Sequence, residues 1–285
     1  MIPEHIKSEI EAHFGDRISN FKSQSGGDIN EASIITLKSG DSYFLKWNST
    51  ASSSMFHTEA KGLNLLSEAK TSLLIPTVIL SGNDFLLLSV IEAGTKTSNS
   101  DREFGMKLAK LHQCSAPEFG LNHDNFIGKL SQSNTPHLDW ADFFITERIE
   151  PQIKLGIDSS KFSSGVLQEI DKLHSVIQNS FPKEDPALLH GDLWSGNYMY
   201  SKDGAVSIYD PAVYFGHREM DLSMTRLFGG FSADFYKGYN SAFPLTDNFE
   251  QRISLFNLYP ILVHANLFGG EYIQQAKRIL DRFCG

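Results

Sequence analysis

The chain has 285 residues, 41% hydrophobic and 21% charged, which is enough apolar material for one or two packed domains and too much for general disorder. Lys and Arg number 25 against 34 Asp and Glu, and the formal charge of −9 disfavours nucleic-acid or anionic-membrane partners that bind through bulk positive charge. Two cysteines, Cys114 and Cys284, with no CxxC, argue against a disulfide framework or a cysteine zinc site and fit a reducing cytoplasm.

Residues 3–14 are expected to form a helix, with Ile6, Ile10 and Phe14 four apart and Gly15 to end it. Residues 18–23, 31–37 and 42–47 read as antiparallel strands, separated by Ser25-Gly26-Gly27 and Lys38-Ser39-Gly40-Asp41. Helical spacing returns at 56–69, and 77–80 and 85–91 read as two more strands around Ser81-Gly82-Asn83-Asp84. From Ser100 helices dominate, at 102–113, 138–148, 166–177, 219–228, 232–241, 250–266 and 272–283. Between them only 198–200 and 205–209, turned by Asp203-Gly204, lean to strand, and 115–137 reads as a long connection. The layout is an α+β chain: a small β-rich N-terminal lobe, residues 1–93, and a larger helical C-terminal lobe, residues 94–285. The longest apolar runs fall far short of the roughly 20 residues that span a bilayer. The start, Met1-Ile2-Pro3-Glu4-His5, is neither basic nor apolar, so no signal peptide is expected.

The densest chemical signal is His190-Gly191-Asp192-Leu193-Trp194-Ser195-Gly196-Asn197, which follows the apolar pair Leu188-Leu189. Asn197 lies five residues after Asp192, and Asp210 thirteen after Asn197. The catalytic loop of protein kinases has the same base-to-Asn spacing and a metal-binding Asp after the next strands. The residue types suit phosphoryl transfer. A carboxylate can accept the proton of an acceptor hydroxyl, and amide and carboxylate oxygens suit Mg²⁺ beside a triphosphate. Asp192 is thus the candidate base, and Asn197 and Asp210 are the candidate metal ligands. Alone, an Asp before a turn is usually a cap; the joint offsets carry the assignment.

Upstream, Gly26 and Gly27 sit between two strands, where a phosphate-covering loop belongs. The string is neither GxGxxG nor a Walker sequence, and a plain hairpin would look the same. Lys46 is flanked by apolar strand residues and is the candidate grip on the α/β-phosphates, with Glu59, thirteen residues on, as its partner. Taken singly, a surface lysine and a solvated helix charge fit these two positions. An adenine would meet backbone groups near Ser89 and Ile91, a placement inferred from position only. After Asp210 there is neither Asp-Phe-Gly nor a later Ala-Pro-Glu, which argues against a protein kinase with a long activation loop. His217 and Glu219 are candidates to order Asp210 or to face the acceptor; the alternative is a helix start with Glu219 and Asp221 in its first turn.

These strings resemble the fructosamine kinase (ketosamine 3-kinase) family. The resemblance rests on LHGDLWSGN at 189–197, DPAVYFGHREMDLSMTRLFGGF at 210–231 and GGDIN at 26–30, and runs from about residue 15 to the C-terminus. The HGDxxxxN element alone would also suit aminoglycoside phosphotransferases and choline kinases, which remain the alternative; the 210–231 stretch is more specific. The resemblance implies a two-lobed protein-kinase-like fold and ATP- and Mg²⁺-dependent phosphorylation of a sugar hydroxyl on ketoamines, free or protein-bound. It implies a 3-phosphate that sheds its sugar and frees the amine, a deglycation role. Carried onto this chain, it makes Asp192 the base, Asn197 and Asp210 metal ligands, Lys46 with Glu59 the phosphate grip, and Gly26 and Gly27 the covering loop. Trp194 becomes a candidate wall for the sugar or amine, with simple packing as the plainer reading. Some members carry a cysteine in the glycine loop; Asp28 stands there here, so redox control through it is not expected. The choice among fructosamines, ribulosamines and erythrulosamines stays open, as does oligomeric state. A metal phosphoesterase built on His190, Asp192, Asp210 and His217 would leave the glycine loop and Lys46 unexplained. The intact Lys46, Asp192, Asn197 and Asp210 set argues against a dead nucleotide-binding module, and Ser195 lacks the GxSxG of a serine hydrolase.

Overall fold

Helix α1 (Glu4–Phe14) starts behind Pro3, buries Ile6 and Ile10 one turn apart, and ends at Gly15. Then come β1 (Ile18–Gln24), β2 (Glu31–Leu37), β3 (Ser42–Trp47), α2 (Met55–Glu68), β4 (Val78–Ser81) and β5 (Phe85–Ser89). The computed structural model describes residues 1–24 and 30–284, apart from the side chains of residues 168 and 171. The five strands form one antiparallel sheet in the order β1-β2-β3-β5-β4, which puts β3 at its centre. Strand alternation divides the core. Leu45, Trp47, Phe85 and Leu87 pack with Ile6 and Ile10, while Leu86 and Leu88 pack with Phe56, Ala60 and Leu63 of α2. Each such fully buried aliphatic side chain contributes about 1.5–3 kcal/mol of transfer free energy.

Further on lie α3 (Ser100–His112), β6 (Asn125–Ile127), β7 (Leu130–Gln132), α4 (Trp140–Phe143), a π-helical stretch (Phe144–Ile149), α5 (Glu150–Asp158), α6 (Leu167–Ser180) and β8 (Ala187–Leu189). The hairpin β9 (Tyr198–Tyr200) and β10 (Val206–Ile208) follows, then β11 (Tyr214–Gly216), α7 (Glu219–Met224), α8 (Ala233–Ala242), α9 (Phe249–Phe256), α10 (Leu258–Phe268) and α11 (Glu271–Cys284). Their core is a large apolar cluster that includes Phe143, Phe144, Ile153, Tyr214, Phe256 and Leu262.

The chain divides into two compact units, residues 1–100 with 198–210, and residues 101–197 with 211 onward. The sequence places the boundary at 93/94 and keeps the β9–β10 hairpin in the second lobe; by contacts, the hairpin belongs to the first unit. Backbone bonds explain this. Leu74 N–H donates to Val206 O at 2.9 Å, Ile208 N–H to Leu74 O at 3.1 Å, and Gly94 N–H to Tyr200 O at 2.8 Å. Two other expectations change. The stretch 115–137 contains the β6–β7 hairpin, and 250–266 is two helices meeting at Asn257, because Pro260 has no N–H to continue the ladder. Among the described residues, no helix is long and apolar enough to cross a membrane.

Candidate active site

In the first unit, Lys46 lies on β3 between Leu45 and Trp47, so alternation turns it to the α2 face. It is only 5% exposed. Its Nζ donates to Glu59 Oε1 at 2.9 Å and Oε2 at 3.2 Å, and to Asp210 Oδ1 at 2.5 Å. A buried ammonium persists only with such partners. Burial alone would lower the Lys46 pKa; the carboxylates of Asp210 and Glu59 outweigh it and hold the side chain charged. The pairing with Glu59 is the one the sequence suggests, while the Asp210 contact was not legible there. Asp210 follows β10 with φ at +56°, a left-handed conformation uncommon for a residue with a Cβ, and its side chain is 43% exposed. With Oδ1 on Lys46, Oδ2 is the atom that can meet a further cation.

The other first-unit candidates divide. Ser89 N–H already donates to Thr77 O at 2.9 Å, and its hydroxyl accepts from Thr77 N–H at 2.9 Å, so its amide is committed within the sheet. Ile91 lies just beyond the end of β5 and is half-buried. Gly26 and Gly27 lie outside the described residues.

In the second unit, buried β8 pairs with β11 and delivers His190, Gly191 and Asp192 at its end. Gly191 has φ at +84°, and a Cβ there would fall 2.0 Å from Ala212 O, so the position admits only glycine. Asn197 closes the following turn: its Nδ2 donates to Asp192 O at 2.8 Å and Oδ2 at 3.0 Å. The amide nitrogen is thereby engaged, and Oδ1 is the atom left to ligate a hard cation. Asn197 N–H also donates to Trp194 O at 3.0 Å. Trp194 is half-buried; its indole lies over Gly196, where a Cβ would fall 2.4 Å from the ring, and meets Phe228 at 5.7 Å between centroids.

The residue that anchors this turn is Asp221, which the sequence suggests only as a first-turn acid. Its Oδ2 accepts from His190 N–H at 2.7 Å and its Oδ1 from Gly191 N–H at 2.9 Å. His112 Nε2 lies 3.2 Å from Oδ2, and His112 Nδ1 lies 2.8 Å from the Tyr239 hydroxyl. Burial would raise the Asp221 pKa; the His112 hydrogen bond, the nearby histidines and the Gly191 N–H reverse this and hold it below the usual carboxylate value. A depressed folded pKa means stability that is complete above the unfolded pKa of about 4 and lost as pH falls through the folded value. Asp221→Asn is therefore expected to cost about 2–3 kcal/mol at pH 7, since it weakens charged hydrogen bonds in the interior. Melting curves of both proteins should differ fully at pH 7 and converge below about pH 4; a pH-independent difference would remove the charge from the explanation.

His217 and Glu219 do not face an acceptor, contrary to one expectation. Both are fully buried. His217 Nε2–H donates to Pro182 O at 3.1 Å, its Nδ1 accepts from Glu219 N–H at 3.2 Å, and burial holds the imidazole below its ordinary pKa. Glu219 accepts from Arg252 Nη2 at 2.6 Å and Nε at 2.7 Å. The physical reason is α7, whose six residues are all buried, so its charged members find interior partners. A second group missed by the sequence is the amide set on β6–β7: Asn125 Nδ2 donates to Val213 O at 2.8 Å, and Gln132 Nε2 to Ala212 O at 3.2 Å.

A buried β-strand, a Gly-Asp turn closed by Asn five residues on, and an interior Asp beneath it share the Asp-to-Asn spacing of the kinase catalytic loop. The sequence matches the fructosamine kinase family over residues 2–284. The chain belongs to the fructosamine kinase family. A probable ketoamine kinase of Vibrio parahaemolyticus is 38% identical over 264 residues, covering 90% of each chain. The chloroplastic protein-ribulosamine 3-kinase of Arabidopsis thaliana is 36% identical over 279 residues, covering 94% of this chain and 83% of its own. A crystal structure of a candidate fructosamine-3-kinase from Thermobifida fusca superposes with a TM-score of 0.86 at 28% identity, covering 99% and 100% of the two chains. The kinase-like fold, and the fold alone, extends at 14% identity and a TM-score of 0.59 to a spectinomycin phosphotransferase. This fructosamine kinase family member is accordingly an ATP-using phosphotransferase with an antiparallel N-terminal sheet and a helical C-terminal region.

Proposed function

We propose that the protein phosphorylates a sugar hydroxyl of a ketoamine, free or protein-bound, and so serves deglycation in the cytoplasm. The observation that carries this reading is the family match across nearly the whole chain, joined to the Asp192–Asn197 turn on its Asp221 anchor. Asp192 is the base that receives the proton of the attacking hydroxyl, and the Asn197 hydrogen bond orients its carboxylate. Lys46, held by Glu59, neutralises phosphate charge, a task for which its fixed ammonium needs no reorganisation. Asn197 and Asp210 are the ligands for Mg²⁺, which supplies charge neutralisation at the triphosphate. Their oxygen chemistry fits that ion. Among the described residues no three His, Cys, Asp or Glu side chains gather as a metal site, and Mg²⁺ characteristically needs few protein ligands beside phosphate and water. Gly26 and Gly27 would cover the phosphates. Adenine contacts fall to Ile91 and the Ser89 carbonyl, because the Ser89 amide is committed. Trp194 offers a wall for the sugar.

The test is ATP-dependent phosphate transfer, with Mg²⁺, to an erythrulosamine, a ribulosamine, a fructosamine, an aminoglycoside and choline. Turnover on a ketoamine is expected, and the kcat/KM ranking names the sugar. Turnover confined to the aminoglycoside or choline would overturn the reading.

A further inference from the structure

Trp194 begins a ridge of aromatic rings in the second unit. Its neighbour Phe228 lies 5.0 Å from His264 and 6.4 Å from Tyr272 between centroids. His264 in turn lies 5.6 Å from Phe268 and 5.0 Å from Tyr272. These rings are at the surface: Phe228 is 38% and Phe268 53% exposed, and Trp194, His264 and Tyr272 are half-buried.

Two turns present the ridge. Phe228, Gly229 and Gly230 have φ of 51°, 101° and 69°, and Gly269 and Gly270 have 69° and 61°. The first run includes a bulky residue in the left-handed region, a conformation that costs about 1 kcal/mol or more and persists where its placement is used. The second sits between Phe268 and Tyr272 and brings both rings onto the patch.

The electrostatics suit a cation. Elsewhere in the protein arginines stack on seven aromatic rings, yet among the described residues none covers a ring of the ridge. The ridge also lies where α10 ends, but the Lys161 ammonium already takes the Asn266 carbonyl there, so the attraction for a ligand cation rests on the ring faces. Burial holds His264 below its ordinary pKa, and its Nδ1–H donates to Pro260 O at 2.7 Å, so the ring adds no competing charge.

We infer that the rings of Phe228, His264, Phe268 and Tyr272, continuing from Trp194, form the subsite for the amine half of the substrate, an alkyl-ammonium chain. This rests on the ketoamine reading above. The secondary ammonium meets ring faces at the Trp194–Phe228 end, and the alkyl stem runs towards Tyr272 and Phe268. The ridge is tied to the chemistry because Asn197 binds both Trp194 O and Asp192 Oδ2.

The test compares two ketoamines of one sugar, the methylamine adduct and the adduct of a capped lysine. In Phe268→Ala/Tyr272→Ala, the ratio of kcat/KM for the long carrier to that for the short one is expected to fall about tenfold, on the scale of two lost ring contacts. If that protein does not fold, Phe228→Asn, which tolerates the left-handed backbone, reads the same ratio. An unchanged ratio overturns the subsite, as does a wild-type enzyme indifferent to carrier length. Wild-type turnover of neither adduct would instead overturn the ketoamine reading.

Discussion

Asp192→Asn lowers turnover by about 10²- to 10⁴-fold while ATP binding survives, the usual scale for losing a general base. The carboxamide cannot take up a proton, but its oxygen still accepts from Asn197 Nδ2, so the turn stays closed. The backbone beneath is held by Asp221 through His190 and Gly191, which the substitution leaves alone. Lys46, Glu59 and Asp210 keep their own contacts in the first unit. Single-turnover phosphate transfer, paired with calorimetric titration of ATP, separates the two effects. Turnover near the wild-type rate would remove Asp192 from the role of base.

Lys46→Met is the second large effect. Methionine fills the space of the lysine stem without its charge, and kcat/KM for ATP is expected to fall about 10²- to 10³-fold, as when a preorganised electrostatic group is removed. The variant also leaves Glu59 and Asp210 without the cation between them. Burial already pushes the Glu59 carboxyl up against the pull of Lys46. In the variant the pull of Lys46 is gone, so burial and the Asp210 charge carry the folded pKa further above the unfolded value of about 4.3. A raised folded pKa gives stability that is present at low pH and lost as pH rises through that value. The melting-temperature deficit of Lys46→Met should therefore widen between about pH 4 and pH 7. A deficit that is flat with pH, together with full ATP affinity, would make Lys46 an ordinary packing residue.

The local elements of this fold were legible because they depend on near neighbours. Ile6 and Ile10 at helical spacing announce α1, and the apolar strands around Gly40 and Gly82 announce the two hairpins β2–β3 and β4–β5 of the sheet. The Asp192–Asn197 turn was legible because its closing bond lies within five residues. What was not legible depends on distant partners. Asp221 looks like a first-turn acid until β8 and α3 bring His190 and His112 to it. Glu219 looks like a site residue near Asp210 until Arg252, 33 positions on, is seen to bind it. The β6–β7 hairpin hides in a polar stretch because its strands are three residues each and their side-chain bonds run to the segment after Asp210.

The β9–β10 hairpin bears on how such a protein can be cut, shuffled or inherited. Ser100 Oγ donates to Gly204 O at 2.8 Å, and Leu74 bonds to both Val206 and Ile208, so the first unit is finished by a segment encoded roughly a hundred codons downstream. A fragment ending at residue 100 would leave the Leu74 backbone without its Val206 and Ile208 partners and would carry Lys46 without Asp210. The two units are therefore not exchangeable cassettes. A functional chimera must transplant residues 198–210 together with 1–100, and insertions that lengthen the chain are better tolerated within surface turns of one unit than at residues 100, 197 or 210, where it passes from one to the other.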